Sequence, residues 1–138
     1  MQVKTLESIV ASLPTGFEDC LIHAWHLEVA SRLAYLDIAV IVRRNWGGEG
    51  DLRVGRLAAT NVHLFFIEPP GARYPFLFQG TGMTASGDLE LTGLSEHIEQ
   101  VISRVPSNAE IIRFFLDDWN SFLYLAADAF TFTWLETV

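Results

Sequence analysis

Apolar and polar residues alternate strictly through the C-terminal part of the chain, and this alternation indicates the class of fold. Three aromatic residues share one face of the last segment, namely Phe130, Phe132 and Trp134. Threonines fill the positions between them. Such alternation is typical of a half-buried antiparallel strand, and aromatic residues pack well on a pleated surface. Residues 111–136 therefore predict two aromatic-rich strands around a polar corner at 117–121, followed by a third strand.

Earlier segments show the same two-residue period. It predicts strands over about 20–30 and 34–44, and the short corner between them favours a hairpin. A longer strand-like segment covers 52–68, but its alternation slips near 58–61, which predicts a bulge or a bend. A short strand is expected at 88–91.

The face of the first strand can also be assigned from the pattern. We expect its apolar face to carry Leu21, Trp25, Leu27 and Val29. His23 falls on that same face, whereas His26 falls on the other.

Two segments have a helical period and suitable ends. Residues 5–13 follow the spacing of an amphipathic helix, with Thr5 as the N-cap and Pro14 after it. The second helix begins after Ser95 and is closed by Pro106.

Together these elements predict one α+β domain over residues 1–138. Strands dominate, in a mostly antiparallel curved sheet, or a partly open barrel or sandwich, of six to seven strands with two short helices. Several glycines indicate turns between the third long strand and the second helix, namely Gly80, Gly82 and Gly87.

Composition narrows the choice of partners. The chain has 17 acidic and 9 basic residues and a net charge of -8, which disfavours nucleic acid and anionic lipid as partners. A basic protein, or a second copy in a homo-oligomer, is compatible with that charge. Cys20 is the only cysteine, and its apolar neighbours indicate an inert, buried thiol. With no signal-peptide pattern at the N-terminus, we expect a cytoplasmic protein.

The sharpest polar cluster is the predicted corner, which comprises Asp117, Asp118, Trp119 and Asn120. Aspartate and asparagine are common in turns, so a purely structural corner is one interpretation. A second is a recognition surface with Trp119 as its exposed anchor. A third is an acid and base pair made from the two carboxylates.

Other candidate binding residues lie apart from this corner. Trp46, in a glycine-rich loop, is a second candidate anchor, and Arg73, in a proline-rich loop, could bind a carboxylate. His23 is expected at the core or rim of the sheet. His23 and His26 point apart on a strand and match no metal-ligand spacing, so neither a metal site nor a cofactor is predicted. We find no catalytic set.

Three segments carry a resemblance to a known group of proteins. They are LPTGFEDCLIH at 13–23, GRLAATNVHLFFIEPPGARYP at 55–75 and FFLDDWNSFLYLAADAFTFTW at 114–134. The chain resembles small bacterial hypothetical proteins that have no assigned activity, and it is loosely similar to immunity proteins of polymorphic toxin systems. The second similarity rests on size, acidity and architecture. No functional residue is implied by either resemblance.

Two functions remain open at this point. The first is a non-enzymatic protein-interaction module, either immunity-type or self-associating. The second is a small-molecule binding domain with an apolar, aromatic pocket in the curved sheet, lined by Trp25, His23 or Tyr35.

Overall fold

A computed structural model describes residues 5–44, 50–71 and 82–135. Two helices lie in this part of the chain, α1 (Leu6–Ser12) and α2 (Glu96–Ser103). The strands are β1 (Cys20–Glu28), β2 (Leu33–Arg44), β3 (Gly50–Ile67), β4 (Met83–Asp88), β5 (Glu110–Leu116) and β6 (Ser121–Trp134).

The described strands form a closed barrel in the order β1-β2-β3-β6-β5-β4. Every neighbouring pair is antiparallel, and the barrel closes through a short pairing of Cys20–Ile22 with Met83–Ala85. The predicted strand-dominated, antiparallel α+β fold is thereby confirmed, and of the alternatives the structure adopts the barrel.

Alternate side chains of the long strands point inward and form the interior of the barrel. In β2 the inward side chains are fully buried, namely Ala34, Leu36, Ile38 and Val40. In β6, Phe130 is fully buried, and Phe132 and Trp134 pack against the core. The expected third strand was wrong as a separate element, because Ser121–Trp134 is one continuous strand.

Bulges change the face assignment of β1. The pairing of β1 with β2 shifts register between Ile22 and Ala24, and a one-residue shift moves side chains to the opposite face. Cys20 and Ile22 are therefore buried in place of the predicted Leu21, while Trp25 does pack against the core. Beyond the bulge the rest of the predicted face was wrong, because Leu27 and Val29 are exposed.

The predicted irregularity in β3 is a bulge within one strand. Asn61 has a positive φ of 55°, and the pairing with β6 shifts between Val62 and Leu64. The strand continues on both sides of the bulge, so the alternative of a bend between two shorter strands does not apply.

The position of β4 was predicted wrongly. The strand covers Met83–Asp88 rather than 88–91, and Gly87 lies within it rather than in a turn. A Cβ atom on Gly87 would lie 2.6 Å from the Phe114 ring and 2.9 Å from Phe17 Cβ, so close packing accounts for this glycine.

The helices begin as predicted. Thr5 accepts a hydrogen bond from the Ser8 N–H, and Ser95 accepts one from the Ile98 N–H. Helix α1 lies at the end of the barrel where β5 begins, because its Leu6 N–H donates to Glu110 Oε1 over 2.9 Å. No helix in the described ranges is long and apolar enough to span a membrane.

Candidate functional site

The predicted polar corner is a tight turn between β5 and β6, and its tryptophan points inward. Trp119 is only 3% exposed and makes an edge-to-face contact with Trp25 at 5.9 Å between ring centroids. The interpretation of Trp119 as an exposed anchor was therefore wrong. The backbone N–H of Trp119 donates to the Leu116 carbonyl over 3.2 Å, and the indole belongs to the buried core.

The remaining corner residues behave as turn residues. Asn120 takes a positive φ of 48°, which asparagine tolerates better than most residues. Asp117 is exposed, and its pKa is raised by partial burial and then by the nearby Asp118 and Asp19 carboxylates. Three carboxylates therefore lie near one another at this turn.

The other predicted residues are dispersed. His23 is exposed at the bulge of β1. Trp46 and Arg73 lie outside the described residues. Tyr35 faces outward, stacked on His26 with 4.9 Å between ring centroids, and therefore does not line the interior.

A cleft of about 410 Å³ lies on the outer face of the wall formed by β4, β5 and β6. The loop between α1 and β1 forms its other side. The cleft is lined by Val10, Thr15, Gly16, Phe17, Glu18, Ser86, Gly87, Asp88, Arg113, Phe115 and Phe122. Its volume lies within the range of small-molecule sites, about 300–1,000 Å³.

Arg113 is the central polar residue of this cleft. It faces outward from β5, yet it is only 9% exposed. Its guanidinium lies over the Phe122 ring, 4.6 Å from the centroid, and it is hydrogen-bonded to the Tyr124 hydroxyl. No carboxylate of the described residues forms an ion pair with it. A buried cation without a counter-ion is costly, which makes this position unusual.

Aromatic side chains continue the wall around Arg113. Phe115 and Phe122 are cross-strand neighbours whose rings meet edge to face at 5.3 Å. They are half-buried. The cleft thus pairs an apolar wall with one cation that has unused donors.

Backbone hydrogen bonds hold the opposite side of the cleft in place. The Gly87 N–H donates to the Phe17 carbonyl over 3.0 Å, and the Asp19 N–H donates to Ser86 Oγ over 3.0 Å. Thr15 Oγ1, in the same loop, is buried and has no hydrogen-bond partner. The loop is therefore fixed against β4, and the cleft is formed before any ligand enters.

Few of the residues that line the cleft carry groups that could act in covalent catalysis. Neither a histidine nor a cysteine is among the lining residues. Ser86 Oγ accepts a hydrogen bond from a backbone amide, and no general base contacts it among the described residues. Burial raises the pKa of the Cys20 thiol to about 12, so that group is a poor nucleophile.

A second polar cluster joins three elements at the β1–β2 turn. His63 Nε2 lies 2.6 Å from Asp128 Oδ1, and Arg32 donates to His63 Nδ1 over 3.1 Å. Asn61 also donates to the Asp128 carboxylate. Because arginine can only donate, Nδ1 is the accepting nitrogen and is not free to act as a base. The cluster ties the β3 bulge to its neighbours.

Across the described ranges, no group of histidine, cysteine and acidic residues could hold a metal ion.

Sequence reasoning missed Arg113, although a signal was present. It is the only charged residue between Ile111 and Leu116 in the run IIRFFL. A charge inside an apolar strand must face either solvent or a partly buried site, and that choice depends on which elements cover the outer face. Pairing of the 14–19 loop with β4 is a tertiary contact that no local pattern contains.

Comparison with known proteins found no matching family model, no matching curated protein and no matching solved structure. The resemblance to small bacterial proteins and to immunity proteins therefore stays a prediction.

Proposed function

We propose that this protein is a small-molecule binding domain without covalent chemistry, and that the cleft around Arg113 is its binding site. The observation that carries the proposal is an arginine, Arg113, that is only 9% exposed as a whole residue, lines a preformed cleft and lacks a carboxylate partner among the described residues.

The lining specifies the kind of ligand. Arg113 matches a carboxylate group, because the planar guanidinium donates in pairs to two oxygens. Phe115 and Phe122 offer an apolar wall against which a ring or an alkyl chain can pack. A compact molecule with an apolar body and a carboxylate would satisfy both features at once.

Binding of 3-phenylpropionate, measured by isothermal titration calorimetry, tests the proposal. Arg113→Met removes the cation but keeps an unbranched apolar side chain. It should weaken binding about tenfold to hundredfold, since hydrogen bonds to charged groups contribute about 1.5–3 kcal/mol.

The chain offers a matched control for this experiment. Arg53 also lies over an aromatic ring, 4.5 Å from the Trp134 centroid, but it is exposed and outside the cleft. Arg53→Met should leave the affinity unchanged. Equal loss in both variants would indicate a general charge effect, and absence of binding to the native chain would refute the proposal for this ligand class.

The protein-interaction hypothesis is less well supported by the geometry. Trp119, one of its two candidate anchors, is buried, and Trp46 lies outside the described residues. The acidic charge, -8, remains compatible with a basic protein partner or a second copy. If the native chain binds no small carboxylate but captures a partner through a surface away from Arg113, this hypothesis should replace the binding-domain proposal.

A further inference from the structure

Residues of both charges line the cleft, and their arrangement determines which charge a ligand should carry. One buried cation, Arg113, lines the cleft with two exposed carboxylates, Glu18 and Asp88. A ligand that carried only negative charge would gain from Arg113 but would be repelled by the two carboxylates. The net charge of the chain, -8, acts in the same direction.

Asp88 and Arg113 are cross-strand partners that do not pair with each other. They lie directly opposite in the β4–β5 register and on the same outer face, where opposite charges ordinarily interact. Asp88 Oδ1 instead accepts a hydrogen bond from the Glu90 N–H over 2.9 Å. The Arg113 guanidinium turns toward β6 and lies over Phe122. Two neighbouring opposite charges are thus turned apart beside one cleft.

We infer that the ligand is a zwitterion, a free α-amino acid with an apolar or aromatic side chain; this inference rests on the proposed function. Its carboxylate binds Arg113, its ammonium group binds Asp88 and is attracted by Glu18, and its side chain packs on Phe115 and Phe122. In such a molecule the two charged groups are attached to one carbon atom. This spacing suits residues whose Cα atoms are about 4.5–5.5 Å apart across a pair of antiparallel strands.

Three probes with the same ring separate the two charges. They are L-phenylalanine, 3-phenylpropionate, which lacks the ammonium group, and 2-phenylethylamine, which lacks the carboxylate. In the native chain, calorimetry should show that L-phenylalanine binds at least tenfold more tightly than either of the other two.

Asp88→Asn gives a sharper test because its effects should be opposite for two probes. The asparagine keeps an oxygen that can accept from the Glu90 N–H, so the local turn should be preserved. Affinity for L-phenylalanine should fall about tenfold, whereas affinity for 3-phenylpropionate should rise, because a repelling charge is removed. Glu99→Gln, on the exposed surface of α2 and outside the cleft, controls for the change in net charge.

The possible results separate this inference from the proposed function. If 3-phenylpropionate binds as tightly as L-phenylalanine, or if Asp88→Asn weakens both equally, the zwitterion is refuted while a carboxylate site at Arg113 stands. If neither carboxylate probe binds the native chain at millimolar concentration, both the proposed function and this inference are refuted.

Discussion

Replacing Gly55 with alanine should destabilise the protein when Phe132 is present and stabilise it when Phe132 is absent. Gly55 is buried in β3, and a Cβ atom added there would lie 2.2 Å from Phe132 Cζ and 2.8 Å from both Cε atoms. The backbone of Gly55 does not have a positive φ, so alanine itself is compatible with the strand. The Phe132 ring must therefore move aside when alanine is introduced.

The cost follows from the contacts that the ring makes. Phe132 meets Trp134 edge to face at 5.1 Å and Phe17 at 5.9 Å between ring centroids. Each aromatic pair contributes about 0.5–1.5 kcal/mol, so displacing the ring costs about 1–3 kcal/mol. Replacing glycine with alanine reduces the freedom of the unfolded chain, which offsets about 0.4–1 kcal/mol. Gly55→Ala should therefore lower the free energy of unfolding by about 0.5–2 kcal/mol.

Urea denaturation of four proteins measures the coupling: the native chain, Gly55→Ala, Phe132→Ala and the double variant. In the Phe132→Ala background the clash is absent, so Gly55→Ala should raise the free energy of unfolding by about 0.4–1 kcal/mol. Equal destabilisation in both backgrounds would show that the cost arises from another contact. Stabilisation in both would show that the ring does not cover Gly55.

Three further predictions concern charged groups and the thiol. Arg113→Met with Tyr124→Phe should leave the free energy of unfolding of the ligand-free protein unchanged or raise it, because an unpaired buried charge is removed; a loss above about 2 kcal/mol in urea denaturation would indicate a structural role. A hydrogen bond from His63, followed by one from a neighbouring amide, holds the pKa of Asp128 below its ordinary value. The ionised Asp128 carboxylate should stabilise the fold at pH values above that ordinary pKa, and this stabilisation should be lost as the pH falls through the lower, folded-state pKa. The native chain should therefore be more stable than Asp128→Asn at neutral pH, and the difference should disappear in strong acid. Cys20 should react with a thiol reagent at pH 8 only as fast as the protein unfolds, since burial raises its pKa to about 12; rapid labelling of the native protein would contradict this.

Local patterns predict those parts of the fold in which the burial of a residue depends only on its position within its own helix or strand. Alternation in β2 and β6 and the capped helices starting after Thr5 and Ser95 were all predicted from the sequence. Pattern reasoning worked because one face of each element packs against the barrel core, so the burial of each residue repeats with the period of its element.

The failures have two physical causes. At the β1 bulge an extra residue reverses the faces, so Leu21 was assigned to the core in place of Ile22. In β4 the sequence MTASGD has only one large apolar residue, Met83, so its alternation is weak, and Gly87 is a glycine because Phe114 and Phe17 approach it closely. Both features depend on partner strands that are distant in sequence.

The candidate site was harder to predict from the sequence than the fold. The corner at Asp117–Asn120 was identified as polar, but the inward direction of Trp119 depends on how the turn folds over the barrel end. Arg73, in the proline-rich loop, was named as a residue that could bind a carboxylate, and it lies outside the described residues. The buried arginine on β5, Arg113, was not identified from the sequence. What distinguishes Arg113 is its cover by Phe122 and the loop, which only the assembled barrel provides.

The most direct test of the binding-domain account is the NMR signal of the Arg113 side chain during titration with 3-phenylpropionate. The account predicts that the Arg113 Nε–H resonance and the backbone amides of Gly87 and Phe115 shift together, with one dissociation constant. It also predicts that the Arg53 side-chain resonance stays unchanged. Shifts confined to other surfaces, or an Arg113 resonance that does not respond at saturation, would contradict the assignment of the cleft as the binding site.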